Sequence, residues 1–401
     1  MRTAKLKDIT LTITDGKHGD CKNHDGSGYY FISCKDVYDE TIHYENARQI
    51  TEDDFRDADR RTNLAAYDIL ITNSGTIGRM ALVKDIPETR KTTFQKSVAI
   101  VRADTSQVVP NYLYYLLKSK VHDFINSSNG SAQKNLLLST MRDFDISFVD
   151  SFETQHRIAN ILSRYDSLIE NYQKQIKLLE EAARRLYKEW FIDLRFPGHE
   201  NTKIVDGVPE GWERKKVGEI GTVITGKTPS TSNKENYGGS IPFITIPDMH
   251  IGIYPVSSVF LSEKGAESQS KKYIPQGALI VSCIGTAGLV CITKERCQTN
   301  QQINSLILDD KEMLHYMYFV FLSLKEHLNN IGSNGATMTN VNKSKFEGID
   351  IVVPSSCIIR DFSQRTTPYF ENILSLQSQI RLLTEARDRL LPKLMSGEIT
   401  V

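Results

Sequence analysis

The sequence predicts a duplicated α/β (α+β) fold, in which a globular unit of roughly 150 residues followed by one long helix is written twice. Three observations carry this expectation. A set of short motifs recurs in the same order in both halves, each half mixes short strands with helices, and each ends in a long stretch with apolar residues at heptad spacing.

The repeat comes first because it fixes the architecture. The apolar run from Asp68 ends in Gly75-Thr76-Ile77-Gly78, and the run from Ala278 ends in Gly285-Thr286-Ala287-Gly288. Upstream, Thr14-Asp15-Gly16-Lys17 answers to Ile224-Thr225-Gly226-Lys227, and Phe31-Ile32-Ser33 with Asp36 answers to Phe243-Ile244-Thr245 with Asp248. Downstream, Tyr112-Leu113-Tyr114-Tyr115 matches Tyr316-Met317-Tyr318-Phe319, and Ser128-Asn129-Gly130 matches Ser333-Asn334-Gly335. Strands are expected at Ala99-Ile100-Val101 and Leu306-Ile307-Leu308, with helices around 110–127 and 312–330. The expected boundaries are 1–152 and 213–355 for the globular units, 153–195 and 356–401 for the helical regions, and 196–212 for a linker.

The helices follow from spacing. Ile158, Leu162, Tyr165, Ile169, Tyr172, Ile176, Leu179, Ala183, Leu186 and Trp190 alternate steps of four and three. Such a seam specifies a supercoiled partner helix. Its repeat runs through Phe362, Thr366, Tyr369, Ile373, Leu376, Ile380, Leu383, Arg387, Leu390 and Leu394, so the chain supplies its own partner in an intramolecular coiled coil. Thr366 and Arg387 interrupt this second seam, and Pro368 and Pro392 predict a kink or late start and some disruption at the end. Residues 153–191 as helix would span about 58 Å, on the order of one to one and a half turns of B-DNA.

Composition excludes several functions. Lysine plus arginine and aspartate plus glutamate number 49 each, so any nucleic-acid site must be local rather than a property of the whole chain. The six cysteines form no CxxC pair, and neither they nor the nine histidines fall at metal-ligand spacing; no metal and no cofactor are expected. No apolar leader and no uninterrupted apolar span occur, which points to the cytoplasm. Gly221 to Thr228 matches the phosphate-cradling pattern GxxxxGK[ST], but a strand before it and a helix immediately after are not signalled. Asp206 with Glu213 and Lys215 is too closely spaced for a metal-nuclease site, and no methyltransferase loop is present, so no catalytic residue is assigned.

What remains is polar loop chemistry at corresponding places. The first copy offers Lys17, His18, Asn73, Ser74, Arg79, Gln133 and Lys134; the second offers Lys227, Thr228, Asn300, Gln301, Gln302, Asn340, Asn342 and Lys343. These side-chain types grip phosphates or read base edges, which makes them candidate DNA contacts.

Over essentially its full length the chain resembles the specificity subunits of type I restriction-modification systems. The likeness rests on the two Gly-Thr-x-Gly strand ends, Trp190-Phe191-Ile192-Asp193 leading to Phe196-Pro197, Val208-Pro209-Glu210-Gly211-Trp212-Glu213, and Leu390 to Ile399. The resemblance implies a non-catalytic DNA-binding subunit with two target-recognition domains. Each would read one half of an asymmetric, bipartite double-stranded DNA target. It also implies that the two helices pair antiparallel, set the gap between half-sites and dock methyltransferase (modification) subunits, with restriction (translocase/nuclease) subunits joining. The alternatives are a coiled-coil scaffold that binds only proteins and a stand-alone DNA-modifying enzyme.

Overall fold

The computed structural model describes residues 1–128, 135–333 and 339–401, apart from the Ser333 side chain. The chain divides into two compact units: unit 1 comprises Met1–Glu170 with Leu382–Val401, and unit 2 comprises Asn171–Arg381.

In unit 1 the strands are β1 (Thr10–Asp15), β2 (Tyr30–Ile32), β3 (Ile69–Thr72), β4 (Met80–Leu82), β5 (Thr92–Phe94) and β6 (Val98–Ala103). An antiparallel sheet has the order β1-β6-β3-β4, and β2 pairs with β5 in parallel. The apolar run of β3 is buried on both faces: Ile69 and Ile71 enter one core, and Leu70 enters another on the opposite face. That division is the period-two alternation of a strand. An outer pair joins Arg2–Lys5 to Asp145–Phe148.

Unit 2 repeats this plan with β7 (Gly221–Thr225), β8 (Tyr237–Ile244), β9 (Leu279–Ser282), β10 (Val290–Ile292), β11 (Gln298–Thr299) and β12 (Ile303–Leu308). Its sheet order is β7-β12-β9-β10, β8 and β11 pair in parallel, and Glu213–Lys216 pairs with Asp350–Val353. Ser33 and Thr245 make the same turn: in each, the backbone N–H and the hydroxyl donate to the carboxylate three residues on, Asp36 or Asp248, at 2.8 to 2.9 Å. The mixed strand and helix content read from the sequence is therefore present in both copies.

Each single helix expected near 110–127 and 312–330 is instead two. Unit 1 has α1 (Glu52–Thr62), α2 (Pro110–Ser119) and α3 (Val121–Asn126), with the break at Lys120. The long helix α4 (Phe152–Tyr187) follows. Unit 2 has α5 (Leu314–Ser323) and α6 (Lys325–Ser333), broken at Leu324. The breaks have a steric counterpart in the Gly-Thr-x-Gly turns. Gly78 (φ +89°) and Gly288 (φ +90°) are left-handed, and a Cβ on them would lie 2.7 Å from Val121 and 2.6 Å from Lys325. Only glycine both adopts that backbone and lets the second helix start there.

The last helix, α7 (Ser356–Ser396), starts without delay and runs through both prolines, which corrects the expected late start and terminal disruption. Pro368 removes one backbone hydrogen bond. Against that loss, Phe362, Phe370 and Ile373 are almost wholly buried around it, and the Thr366 and Thr367 hydroxyls donate to the carbonyls of Phe362 and Ser363 at 2.8 Å.

The seam residues lie inside each unit's core. In unit 1, Ile158 and Leu162 of α4 share a cluster with Leu390, Leu391 and Leu394 of α7. In unit 2, Ile176, Leu179, Ala183 and Trp190 share one with Phe362, Tyr369 and Ile373. In each unit the later residues of one helix meet the earlier residues of the other, so the pairing is antiparallel and forms an intramolecular coiled coil. Tyr165, Ile169, Tyr172, Leu186, Leu376, Ile380 and Leu383 are buried or half-buried.

The two polar interruptions of the second seam are both buried. Thr366 is fully enclosed, and its hydroxyl oxygen lies 2.9 Å from His315 Nδ1. Because that hydroxyl already donates to Phe362, it accepts from His315, which places the ring proton on Nδ1. The His315 ring also stacks on Phe370 at 4.0 Å. Arg387 is 5 % exposed, donates to Glu40 at 2.8 Å with a second ion-pair contact of 2.8 Å, and also binds Asp166 of α4. Tyr114 and Lys118 of α2 complete the site on Glu40, and Tyr115 donates to Asp166.

Among the described residues no helix is long and apolar enough to cross a membrane.

Candidate nucleic-acid interface

In both units the polar loops are gathered by the same backbone hydrogen bonds. Lys17 N–H donates to Phe94 O at 2.7 Å, and Lys227 N–H to Thr299 O at 2.9 Å. Asn73 N–H donates to Ser97 O at 3.0 Å, and Cys283 N–H to Gln302 O at 2.8 Å. Leu136 N–H donates to Asn73 O at 2.8 Å, and Val341 N–H to Cys283 O at 2.9 Å. The loop after the first sheet strand, the turn after the third and the segment before the long sheet strand therefore meet at one end of each sheet. The glycine preceding each lysine is required there. A Cβ on Gly16 would lie 2.0 Å from Phe94 O, and one on Gly226 would lie 2.2 Å from Asn300 O.

Unit 1 presents Lys17, His18, Asn73 and Ser74 at this end. Lys17 is half-buried, with Nζ 3.1 Å from Asp57 and 3.6 Å from Asp54. The hydrogen bond from the Lys17 ammonium to the Asp57 carboxylate holds it above the usual lysine pKa. His18 is exposed and lies 3.1 Å from Asp15, which Arg61 also binds. Asn73 is 7 % exposed, and its Oδ1 has no hydrogen-bond partner among the described residues. It borders a pocket of about 180 Å³ with Asp15, Ser74, Lys96 and Asn135. Arg79 is exposed, and its backbone pairs with Thr72 across the Gly75–Gly78 turn at 2.8 and 2.9 Å. Gln133 and Lys134 lie outside the described residues.

In unit 2, Lys227, Thr228, Asn300, Gln301 and Gln302 come together. Thr228 donates to Gln301, Asn300 Nδ2 donates to Gln302 at 3.0 Å, and Gln302 Nε2 donates to Ile284 O at 3.4 Å. Asn340 joins them through a backbone bridge to Ile284. Asn342 and Lys343 do not belong to this cluster. Asn342 caps the short helix Lys343–Glu347 by accepting Lys345 N–H at 3.0 Å, and Lys343 lies 3.4 Å from Glu347 on that helix.

The GxxxxGK[ST] match falls on β7 and the loop after it, so its glycines frame a sheet strand and the residues directly after Lys227 form no helix. Among the described residues no group of His, Cys, Asp and Glu could hold a metal ion.

Sequence reasoning missed Lys96 in unit 1 and Lys271, Lys272 and Arg296 in unit 2, whereas the polar run Asn129 to Asn135 is singled out by the sequence and Asn135 lines the unit 1 pocket. A signal for Lys96 was present: Gln95-Lys96-Ser97 stands where Asn300-Gln301-Gln302 stands in the second copy, at a constant offset. The three unit 2 cations have only a pairwise signal, since Lys271-Lys272 follows the same spacing from its Gly-Lys loop as Arg60-Arg61 does to within one residue.

Residues 3–181 and 209–362 match the family described as type I restriction modification DNA specificity domain. Among curated relatives, the HindI specificity subunit of Haemophilus influenzae is 33% identical, with 75% of this chain and 80% of the relative covered. The MjaIX specificity subunit of Methanocaldococcus jannaschii is 31% identical, with coverage of 95% and 89%. The solved S subunit of a type I restriction-modification system from M. genitalium shares the fold with a TM-score of 0.60 at 16% identity, covering 98% of this chain and 96% of that one.

Proposed function

Since the chain belongs to the type I restriction-modification DNA specificity family, we propose that each unit reads one half of an asymmetric, bipartite duplex target. In this reading, α4 and α7 set the gap between the halves and dock methyltransferase subunits, and restriction subunits join that complex in the cytoplasm. The observation that carries it is a repeated scaffold with unrepeated loops. The backbone bonds that gather the loops are the same in both units, whereas the side chains they present differ: Asn73 against Cys283, and Gln95-Lys96-Ser97 against Asn300-Gln301-Gln302. Amide and lysine side chains at the end of a rigid sheet suit base-edge and phosphate recognition.

The chain itself is assigned no catalytic step. Purified chain incubated with a labelled methyl donor, or with plasmid and Mg²⁺, is expected to show no turnover; robust turnover would overturn the non-catalytic assignment.

The spacing role is tested by gel shift with the reconstituted modification complex. Adding or deleting base pairs between the half-sites is expected to weaken binding toward the non-specific level, because the two units can no longer engage together. Unchanged binding across the series would remove the helices from that role.

A further inference from the structure

The two Gly-Lys loops occupy equivalent places but opposite electrostatic settings. In unit 1, Lys17 is held by Asp54 and Asp57, and the neighbouring Arg61 is held by Asp15. The carboxylates come from α1 and from the end of β1 and pair with Lys17 and Arg61, while Arg60 and Lys96 are exposed, Lys96 donating its backbone N–H to Lys17 O at 3.2 Å.

In unit 2 the place of α1 is taken by the short helix Glu263–Glu267 and the turn Ser270–Lys272, and those pairing acids are gone. Three segments are bound into one face there. Lys272 Nζ donates to Thr225 O at 2.9 Å, and Gln269 Nε2 donates to Lys227 O at 2.8 Å. Cys297 and Ile274 exchange backbone hydrogen bonds at 2.8 and 3.0 Å, which brings Arg296 beside the turn, with its guanidinium 3.6 Å from the Tyr273 ring centroid. Lys227, Lys271 and Arg296 are exposed and Lys272 is half-buried. The carboxylates nearby are Glu263, Glu267, which accepts from Tyr273 at 3.4 Å, and Glu295, 3.7 Å from Lys294. Among the described residues, Lys227 and Lys271 have no carboxylate within ion-pair distance.

We infer that the Lys227–Lys271–Lys272–Arg296 face of unit 2 is a phosphate-backbone binding site, and that the equivalent Lys17 of unit 1 does not serve as one because Asp54 and Asp57 neutralise it. The inference rests on the DNA-recognition reading above and goes beyond it by dividing the labour: the lysine of the Gly-Lys loop grips the backbone in unit 2 and not in unit 1. A cation already paired with a carboxylate releases fewer counterions when a phosphate arrives, so it adds little to the salt dependence of binding.

The test is the slope of log Kobs against log salt for the full-length chain on a mixed-sequence duplex. Every phosphate that the protein no longer neutralises lowers the slope by about 0.9. The K271A/K272A variant is expected to lower it by up to about 2 and K227A by about 1, while K17A leaves it close to wild type. The D54N/D57N variant, which frees Lys17, is expected to raise the slope by about 1; thermal melting checks that it remains folded, and D57N alone gives the same direction with one carboxylate kept. Wild-type slopes in K271A/K272A and K227A, or an equal drop in K17A, would overturn the inference while leaving DNA recognition standing. A wild-type chain with no salt-dependent duplex binding would overturn both.

Discussion

Replacing Arg387 with methionine is expected to destabilise unit 1 by about 3–5 kcal/mol. The guanidinium is 5 % exposed and is the shared partner of two partly buried carboxylates, Glu40 and Asp166. Without it Lys118 still neutralises Glu40, whereas Asp166 is stranded, keeping among the described residues only the Tyr115 hydroxyl. Replacing Asp166 and Arg387 together with leucine and methionine removes the stranded charge as well as its partner, and is expected to cost less than Arg387→Met alone. The chain has two tryptophans, Trp190 and Trp212, and both lie in unit 2. Urea unfolding of Arg387→Met should therefore show an early loss of circular dichroism ahead of the change in tryptophan fluorescence. Coincident, wild-type transitions would show that the network contributes nothing.

The same network has an acid limit. Burial pushes the Glu40 carboxyl up, but Lys118 and Arg387 outweigh it and hold the group below its ordinary 4.5. A depressed folded pKa means that the stability is fully present above 4.5 and is lost as pH falls through the folded value.

Unit 2 is expected to lose stability at a higher pH, through His315. Burial pushes its imidazole down from 6.5 to about 4. The folded state keeps the ring neutral, stacked on Phe370 and bound to Thr366, while the unfolded chain takes up a proton near 6.5. The contribution is complete above 6.5, declines as pH falls, and amounts to a loss of about 3 kcal/mol by pH 4. Tryptophan-detected unfolding at pH 7, 5.5 and 4 should show this decline, and His315→Gln, which can still donate to Thr366, should flatten it. A pH profile unaffected by that substitution would assign the decline to other groups.

The sequence is informative about this molecule where spacing alone decides the outcome. The colinear motifs reveal the duplication because each repeats a backbone requirement: a left-handed glycine at 78 and 288, a close approach at Gly16 and Gly226, and a carboxylate three residues after Ser33 and Thr245. The heptads reveal the paired helices for the same reason. Side-chain pairing was not legible. Lys17 and Lys227 look alike in the sequence, and only the fold brings Asp54 and Asp57, some forty residues downstream, onto the first of them. Likewise Arg387 and Thr366 read as flaws in an apolar seam, because their partners Glu40, Asp166 and His315 are remote in sequence. Asn342 and Lys343 read as loop chemistry because the short helix they begin has too few residues to show a period.

Methylation mapping of host DNA, with and without this chain and with residues 1–152 exchanged for another recognition domain, tests the central claim most directly. The account predicts one bipartite motif with two different halves at a fixed gap, of which the exchange rewrites one half and leaves the other half and the gap intact. A motif that ignores the exchange, or methylation that does not depend on the chain at all, would contradict it.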